Sequence, residues 1–269
     1  MLDALRNAID YPLREWVRWR RRGLRVPNEP KQALFASWPP AERGQAEGTA
    51  ARLLNVYALQ PLHAHSRADN YRENLFYLEM LERALNCAGQ ALPAAVQAAD
   101  VGCAAWNYVA ALHALLRYWC APAGRAVQLR GFEADAWRVY ANFHSRHDHA
   151  LANMRALAGV EYVPRAFTAE PHAYNLITML FPFLFGQDHL RWGLPRPAFM
   201  PAALLRSVWA SLQPGGLLII ANQGAAEHAE QQRLLAQLPA RPLAAFEHVS
   251  PLFSYAVARF VTVTAKSAG

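Results

Sequence analysis

A short apolar run that ends in an acidic residue and a glycine is the strongest chemical signal in this sequence. Residues 98–112 read AADVGCAAWNYVAAL, so Asp100 and Gly102 follow the apolar run and a helix-forming stretch begins near Asn107. Glycine at such a turn lets the backbone approach a ligand closely, and the first N–H groups of a helix can donate to that ligand. The pattern predicts a ligand site at the carboxyl end of a strand, although Asp100 could simply cap the turn.

Three further segments follow this turn in an order that resembles class I S-adenosylmethionine-dependent methyltransferases. The turn itself matches the family motif acidic-x-Gly-x-Gly-x-Gly, except that Ala104 and Trp106 replace the second and third glycines. The other segments resemble the second motif, the fourth strand, and the helix, Pro-Gly-Gly turn and fifth strand of the family; they are LRGFEAD (129–135), AYNLITMLFPF (173–183) and LLRSVWASLQPGGLLIIANQG (204–224). The resemblance extends over roughly residues 93–269.

The resemblance implies S-adenosylmethionine as the cofactor and an unidentified methyl acceptor, for which we favour a small molecule. In the family, a carboxylate after the second strand binds the ribose hydroxyl groups, and Glu133 stands at that position. Capping of the next helix is the alternative role for Glu133, and Asp135 would take its place if the register were shifted by two. The residues that the resemblance assigns to cofactor binding are Asp100, Gly102, Cys103, Ala104, Asn107, Glu133 and Leu180.

Departures from the family pattern leave a second function open. Besides the two replaced glycines, no acidic residue follows the third predicted strand before Glu170. Leu180 and Phe181 stand where amino-methylating relatives carry Asn or Asp before Pro-Pro. These departures suit a binding or regulatory protein that keeps the fold with weak or lost catalysis. An NAD-dependent dehydrogenase is disfavoured, because Trp106 and Asn107 interrupt the G-x-G-x-x-G pattern that it requires.

Polar residues near the predicted strand ends are candidates for substrate binding and proton transfer. His172 precedes the fourth strand and His248 follows the sixth, and either could act as a general base. Asn222 and Gln223 lie just past the fifth strand, at the expected rim of the pocket. Glu73, near a helix start, could form part of a lid or make capping and charge contacts within its own helix.

Short apolar runs alternate with helix-length segments, which predicts a Rossmann-like, doubly wound α/β fold with a mostly parallel seven-stranded sheet. The last two runs have no helix between them, so we expect an antiparallel hairpin at the C-terminal edge. A helical N-terminal extension is predicted over residues 1–90 and the α/β domain over residues 91–269. Predicted strands are 95–101, 126–133, 160–164, 174–180, 217–221, 243–248 and 256–264, and the main predicted helices are 70–85, 107–119, 135–158, 201–212 and 227–238.

Arginines and tryptophans are interleaved in the segment YPLREWVRWRRRGLRVP, residues 11–27. Residues 11–25 are predicted to form a helix in which Trp16 and Trp19 lie apart from an outer face of Arg14, Arg18, Arg21, Arg22 and Arg25. Such a face suits RNA or an anionic membrane. The alternative is a helix that packs both tryptophans on the domain while its arginines are merely solvated.

The composition excludes several other classes. A hydrophobic fraction of 54% is ample for a folded core, and a formal net charge of +7 does not by itself establish nucleic-acid binding. Three cysteines without a CxxC pair argue against a disulfide framework and indicate a reducing cytoplasm. The longest apolar run is too short to span a bilayer, so we predict a cytoplasmic protein. No metal site is predicted, because the spacing of His144, His147 and His149 does not place them on one helix face.

Overall fold

One mixed sheet flanked by helices makes up the part of the chain that the computed structural model describes, residues 2–267. The helices are α1 Leu2–Val17, α2 Pro40–Val56, α3 Gln60–Ala64, α4 Ala68–Ala88, α5 Val109–Tyr118, α6 Arg146–Met154, α7 Gly186–Arg191, α8 Pro201–Ser211 and α9 Gly224–Leu235, with a 3-10 helix at Arg196–Ala198. The strands are β1 Ala95–Val101, β2 Ala126–Phe132, β3 Val160–Val163, β4 Tyr174–Leu180, β5 Leu212–Gln223, β6 Ala240–His248 and β7 Arg259–Lys266.

The strands follow the order β3-β2-β1-β4-β5-β7-β6 across the sheet. Strands β1 to β5 are parallel, whereas β7 lies antiparallel between β5 and β6. This topology confirms the predicted Rossmann-like class and its antiparallel C-terminal hairpin. The strand order reverses between β1 and β4, so the carboxyl ends of these two strands border the crevice at which doubly wound folds bind ligands.

Helix α4 joins the N-terminal region to the sheet through a shared core. Its leucines at three- and four-residue spacing, Leu75, Leu78, Leu81 and Leu85, are fully buried. The helix packs against α5 and against both strands of the β6–β7 hairpin, and it ends at Gly89, which adopts the left-handed conformation typical of a helix C-terminus. The apolar core is therefore continuous across the predicted boundary near residue 90.

Two elements differ from their predicted extent, while the other listed helices and strands agree within three residues at each end. The helix predicted over 135–158 was wrong, because only α6 forms: Asp135 is buried among arginine side chains, and a capping box between Ser145 and Asp148 starts the helix later. Strand β5 begins five residues earlier than predicted, at Leu212. Its Pro-Gly-Gly segment is an irregularity within the strand: Gly215 has a φ of 76°, and the pairing to β4 shifts in register there.

The predicted helix over residues 11–25 was also wrong. Helix α1 ends at Val17, and Arg18 has a φ of 48°, which breaks the helical path. Arg14 is not on an outer face, since its Nε lies 2.9 Å from Asp135 Oδ1. Trp16 does not pack on the domain either, because 82% of it is exposed. Within residues 2–267 no helix is both long and apolar enough to cross a bilayer.

Candidate active site

The loop between β1 and α5 keeps an unusual backbone at all three glycine positions of the motif. Gly102, Ala104 and Trp106 have φ values of 81°, 51° and 51°. Residues with a side chain pay about 1–2 kcal/mol for this left-handed conformation. The loop thus has the left-handed conformation that favours glycine at all three motif positions, although only the first of them is a glycine. Strain of this kind persists where the surrounding structure holds it in place, and it often marks a functional site.

Trp106 is held in place by packing behind the loop, and it also borders the crevice. Its side chain is fully buried, and its Nε1 donates to Asp100 Oδ2 at 2.8 Å. The indole lies against Gly131, which pairs with Asp100 in the β1–β2 register. A Cβ at Gly131 would stand only 2.6 Å from the indole ring. The third glycine position of the loop is thus occupied by Trp106, and a glycine in the neighbouring strand, Gly131, makes room for its indole.

Asp100 supports the loop from below and does not line the crevice. It is fully buried, with one oxygen accepting from Trp106 and Oδ1 accepting from the Thr178 hydroxyl at 2.7 Å. Burial raises the pKa of Asp100 to about 6, although the hydrogen bonds from Thr178 and Trp106 oppose that rise. Asp100 therefore organises the turn, and we expect any effect on a cofactor to be transmitted through the backbone.

Glu133 directs a carboxylate into the crevice from the end of β2. Its Oε1 accepts from the N–H of Asp135 at 2.8 Å and from Arg146 Nη1 at 3.3 Å, and its Oε2 accepts from the N–H of Ala104 at 2.8 Å. A carboxylate offers about four acceptor positions. One position on Oε2 is thus without a donor from residues 2–267, and a ligand hydroxyl can use it.

Asp135 lies behind Glu133 and ties α1 to the site. Its Oδ1 accepts from Arg14 at 2.9 Å, and its Oδ2 lies 3.4 Å from Arg146. Arg14 also donates to the carbonyl of Gly193, just after α7. Asp135 does not line the crevice. If Asp135 stood in the ribose-binding position instead of Glu133, its carboxylate would have to face the ligand. It lies in a structural ion-pair network instead.

The crevice opens into a cavity of about 520 Å³, within the usual range for small-molecule sites. Its floor is the carboxyl ends of β1, β2 and β4, and its cover comes from α1, α7 and the start of α8. Most of its lining is apolar or aromatic. Glu73 and Glu133 are the acidic residues that line it, and no Lys or Arg of the described chain does so. The lining is thus mostly apolar, with two carboxylates, of which Glu133 already accepts from Arg146.

Most of the predicted cofactor residues come together at this cavity. Those that line it are Gly102, Cys103, Ala104, Asn107, Glu133 and Leu180, and from the wider candidates also Glu73 and Gln223. Cys103 is buried, and burial together with the nearby carboxylates raises the pKa of its thiol well above the ordinary value. It is therefore a packing residue rather than a nucleophile.

The two histidines suggested as general bases lie elsewhere. Neither His172 nor His248 lines the cavity, and burial lowers the pKa of His248 to about 4. Asn222 is fully buried outside the lining. Glu170, the first acidic residue after β3, accepts from Arg130 at 2.6 Å and does not line the cavity. Within residues 2–267, no group of three or more His, Cys, Asp or Glu side chains could hold a metal ion.

His189 on α7 is a candidate base that the sequence did not reveal. It lines the cavity between Phe183 and Phe199, with ring centroids 5.9 Å and 5.3 Å away. Its Nε2 lies 3.0 Å from the carbonyl of Pro195. A carbonyl only accepts, so Nε2 carries the proton and Nδ1 keeps its lone pair. No local spacing marks this residue, because its position depends on how the β4–α8 connection folds back over the sheet.

Comparison with known proteins places the fold and leaves the activity open. No protein-family model matches the sequence, and no curated protein sequence matches it either. A structure from Listeria monocytogenes, described as a class I S-adenosylmethionine-dependent methyltransferase, aligns over 71% of this chain and 59% of its own, with a TM-score of 0.50 and 12% identity. The chain therefore has the fold of class I methyltransferases, and at this identity the likeness shows the fold alone.

Two other solved structures are similar over a comparable part of the chain. A SAM-dependent methyltransferase from Aquifex aeolicus aligns over 70% of this chain and 87% of its own, with a TM-score of 0.48 and 13% identity. The [4+2]-cyclase SpnF aligns over 71% of this chain and 83% of its own, with a TM-score of 0.48 and 12% identity.

Proposed function

We propose that this protein binds S-adenosylmethionine and transfers its methyl group to a small, largely apolar acceptor. The observation that carries the proposal is the lining of the cavity, in which aromatic rings accompany two carboxylates and no Lys or Arg of the described chain appears. S-adenosylmethionine bears a sulfonium and an ammonium group, which carboxylates and aromatic faces attract. A dinucleotide brings two phosphate charges instead, and this lining offers no cationic side chain to meet them.

The residues at the crevice fit the parts of this cofactor. The backbone of the loop from Gly102 to Asn107 can approach the ligand closely, and Glu133 Oε2 can accept from a ribose hydroxyl. Phe132 and Phe167 are packed edge to face at 4.9 Å and offer an apolar surface for the adenine. When bound, the cofactor supplies an electrophilic methyl group. The task of this chain is to align an acceptor with that group and to exclude water.

The acceptor would contact the apolar part of the cavity beyond Leu180. Phe181, Phe183 and Trp192 line this part together with Phe199. Leu180 and Phe181 supply no side-chain hydrogen bond to an amine, so a hydroxyl or carbon acceptor in an apolar molecule fits better. For a hydroxyl acceptor, His189 would take the proton on Nδ1, because it lines the cavity and its Nε2 is paired with the Pro195 carbonyl.

The experiment that tests cofactor binding is calorimetric titration of the purified protein with S-adenosylmethionine, S-adenosylhomocysteine and NAD⁺. We expect heat and a raised melting temperature with the first two ligands and neither with NAD⁺. The proposal is contradicted if neither S-adenosylmethionine nor S-adenosylhomocysteine gives heat or a raised melting temperature at millimolar concentration. Binding without transfer to any apolar acceptor would instead favour the alternative of a regulatory protein that keeps the fold.

The proposed base has a pH dependence of defined sign. Burial lowers the pKa of His189 below its ordinary value of 6.5, and only the neutral imidazole can accept a proton. We expect kcat to rise with pH through that lowered pKa and to level off above it. His189→Ala should lower kcat by about 10²–10⁴-fold while cofactor affinity stays close to that of the parent protein. An unchanged kcat, or a loss confined to KM, would remove His189 from the reaction.

A further inference from the structure

Helix α1 carries a continuous apolar stripe on its outer face. Residues at three- and four-residue spacing are exposed along its whole length: Leu2 by 82%, Leu5 by 65%, Ile9 by 63%, Leu13 by 53% and Trp16 by 82%. At 100° per residue these side chains fall within a narrow sector of the helix. Single exposed apolar residues are ordinary, but a stripe along one helix marks a surface that is normally covered.

The opposite face of α1 is anchored to the domain. Asn7 is buried and its amide donates to the carbonyls of Leu190 and Leu194, at 2.7 Å and 3.0 Å. Tyr11 donates to the carbonyl of Ala134 at 3.0 Å. These contacts and the ion pair of Arg14 with Asp135 determine which side of the helix faces outward. The apolar stripe is thus displayed by a firmly docked helix rather than by a loose end.

A cluster of exposed arginines follows the stripe directly. It consists of Arg18, Arg20, Arg21, Arg22 and Arg25. Within residues 2–267, none of these arginines forms an ion pair with a carboxylate. Three of them, together with Arg155 just after α6, line another cavity of about 450 Å³, in which Asp148 is the one acidic residue of the lining. Such a concave basic surface has the size and charge to hold phosphate groups.

We propose that α1 lies in the surface of an anionic lipid bilayer, with its apolar stripe in the acyl boundary and the arginine cluster on lipid phosphates. An amphipathic helix with adjacent basic residues has the composition of an interfacial helix. Trp16 is suited to the boundary between headgroups and acyl chains, where indoles are enriched. The proposal is independent of methyl transfer, because it uses the outer face of the helix.

Two other occupants account for less of this surface. RNA would use the arginines and stack on tryptophan, but it leaves the exposed stripe from Leu2 to Leu13 without a role. A second copy of the chain would cover the stripe, yet it would bring two arginine clusters of like charge into one assembly. An anionic bilayer accounts for both features, because apolar and negatively charged layers lie next to each other within it.

The test is flotation of the full-length protein with vesicles of phosphatidylcholine alone and of an equal mixture with phosphatidylglycerol, at low and physiological salt. We expect binding to the anionic vesicles that weakens with salt. Leu5→Glu/Ile9→Glu should reduce the partition by about a hundredfold or more. Replacement of Arg18, Arg21, Arg22 and Arg25 with Gln should reduce it by about fivefold for each charge removed.

Val249→Glu is the matched control, because Val249 is 77% exposed and lies far along the chain after β6. Its vesicle binding should equal that of the parent protein, and all variants should keep the parent melting temperature. The proposal is overturned if the parent protein does not bind anionic vesicles. If the parent dimerises but does not bind vesicles, and Leu5→Glu/Ile9→Glu abolishes the dimer, the stripe is assigned to a second copy. RNA binding that needs the arginines, again without vesicle binding, would assign the cluster to RNA.

Discussion

Trp106→Ala is expected to lower the free energy of unfolding by about 3–5 kcal/mol, although the residue occupies a glycine position of the methyltransferase motif. The substitution empties the space that the indole fills against Gly131. It also removes the donor to Asp100 Oδ2, which leaves a buried carboxylate oxygen without that partner. Urea unfolding followed by circular dichroism measures the change. A loss below about 1 kcal/mol would show that the indole does not hold the loop.

The coupling of Trp106 to Gly131 can be measured separately from the cost of the cavity. Gly131→Ala alone should cost about 1–3 kcal/mol, because the new methyl group meets the indole. In the Trp106→Ala background the same change should cost little, since the indole is gone. Gly44→Ala is the matched control, because Gly44 lies in α2 with open space around it and should be neutral or slightly stabilising.

Trp106→Phe removes the hydrogen bond from the indole to Asp100 while keeping an aromatic ring. The destabilisation that it causes should depend on pH. The folded-state pKa of Asp100 is raised above its ordinary value of 3.8, so this group favours folding more as the pH falls through about 6. Loss of the indole donor raises that pKa further. The destabilisation by Trp106→Phe should therefore be larger at pH 8 than at pH 5. Equal losses at both values would show that Asp100 stays protonated or that the hydrogen bond contributes little.

Glu133→Ala is expected to weaken S-adenosylmethionine binding by about 1–3 kcal/mol, which is the usual loss when hydrogen bonds to a charged group are removed. The free acceptor position on Oε2 is what the ribose hydroxyl would use, and the same carboxylate holds the N–H of Ala104 in the strained loop. Calorimetry of folded protein, with the melting temperature recorded in parallel, separates affinity from stability. Unchanged affinity would contradict the assigned role.

Two variants control this measurement. Glu161→Gln changes an exposed carboxylate of β3 that pairs with Arg130, away from the cavity, and should leave cofactor affinity unchanged. Asp135→Ala breaks buried ion pairs with Arg14 and Arg146 and should mainly lower stability, by about 3–5 kcal/mol. A large affinity loss in Asp135→Ala with little in Glu133→Ala would mean that the second motif is read two residues out of register.

Much of the fold could be predicted because its signals are local. Runs of apolar residues, the turn at Gly102 and the hydrophobic spacing of α4 each depend on neighbours in sequence, and together they restrict the chain to a doubly wound sheet. The resemblance to the methyltransferase motifs assigned Glu133 and Leu180 to cofactor binding, and both line the cavity because the carboxyl ends of parallel strands meet at one edge. The same logic failed for residues 135–145, where buried ion pairs to distant arginines outweigh helical propensity.

The tertiary structure alone decided the positions of side chains whose partners are far away in sequence. The sequence left open where Trp106 points, and it is Gly131 on the next strand that makes a place for the indole. His189 could not be identified, because its position follows from the folding of the β4–α8 connection over the sheet. A helix over residues 11–25 was predicted to expose arginines, but the helix that forms there, α1, ends at Val17. Its contacts with Leu190, Leu194 and Asp135 turn the apolar stripe outward instead, because the docked face is determined by tertiary hydrogen bonds and not by the pattern of the helix itself.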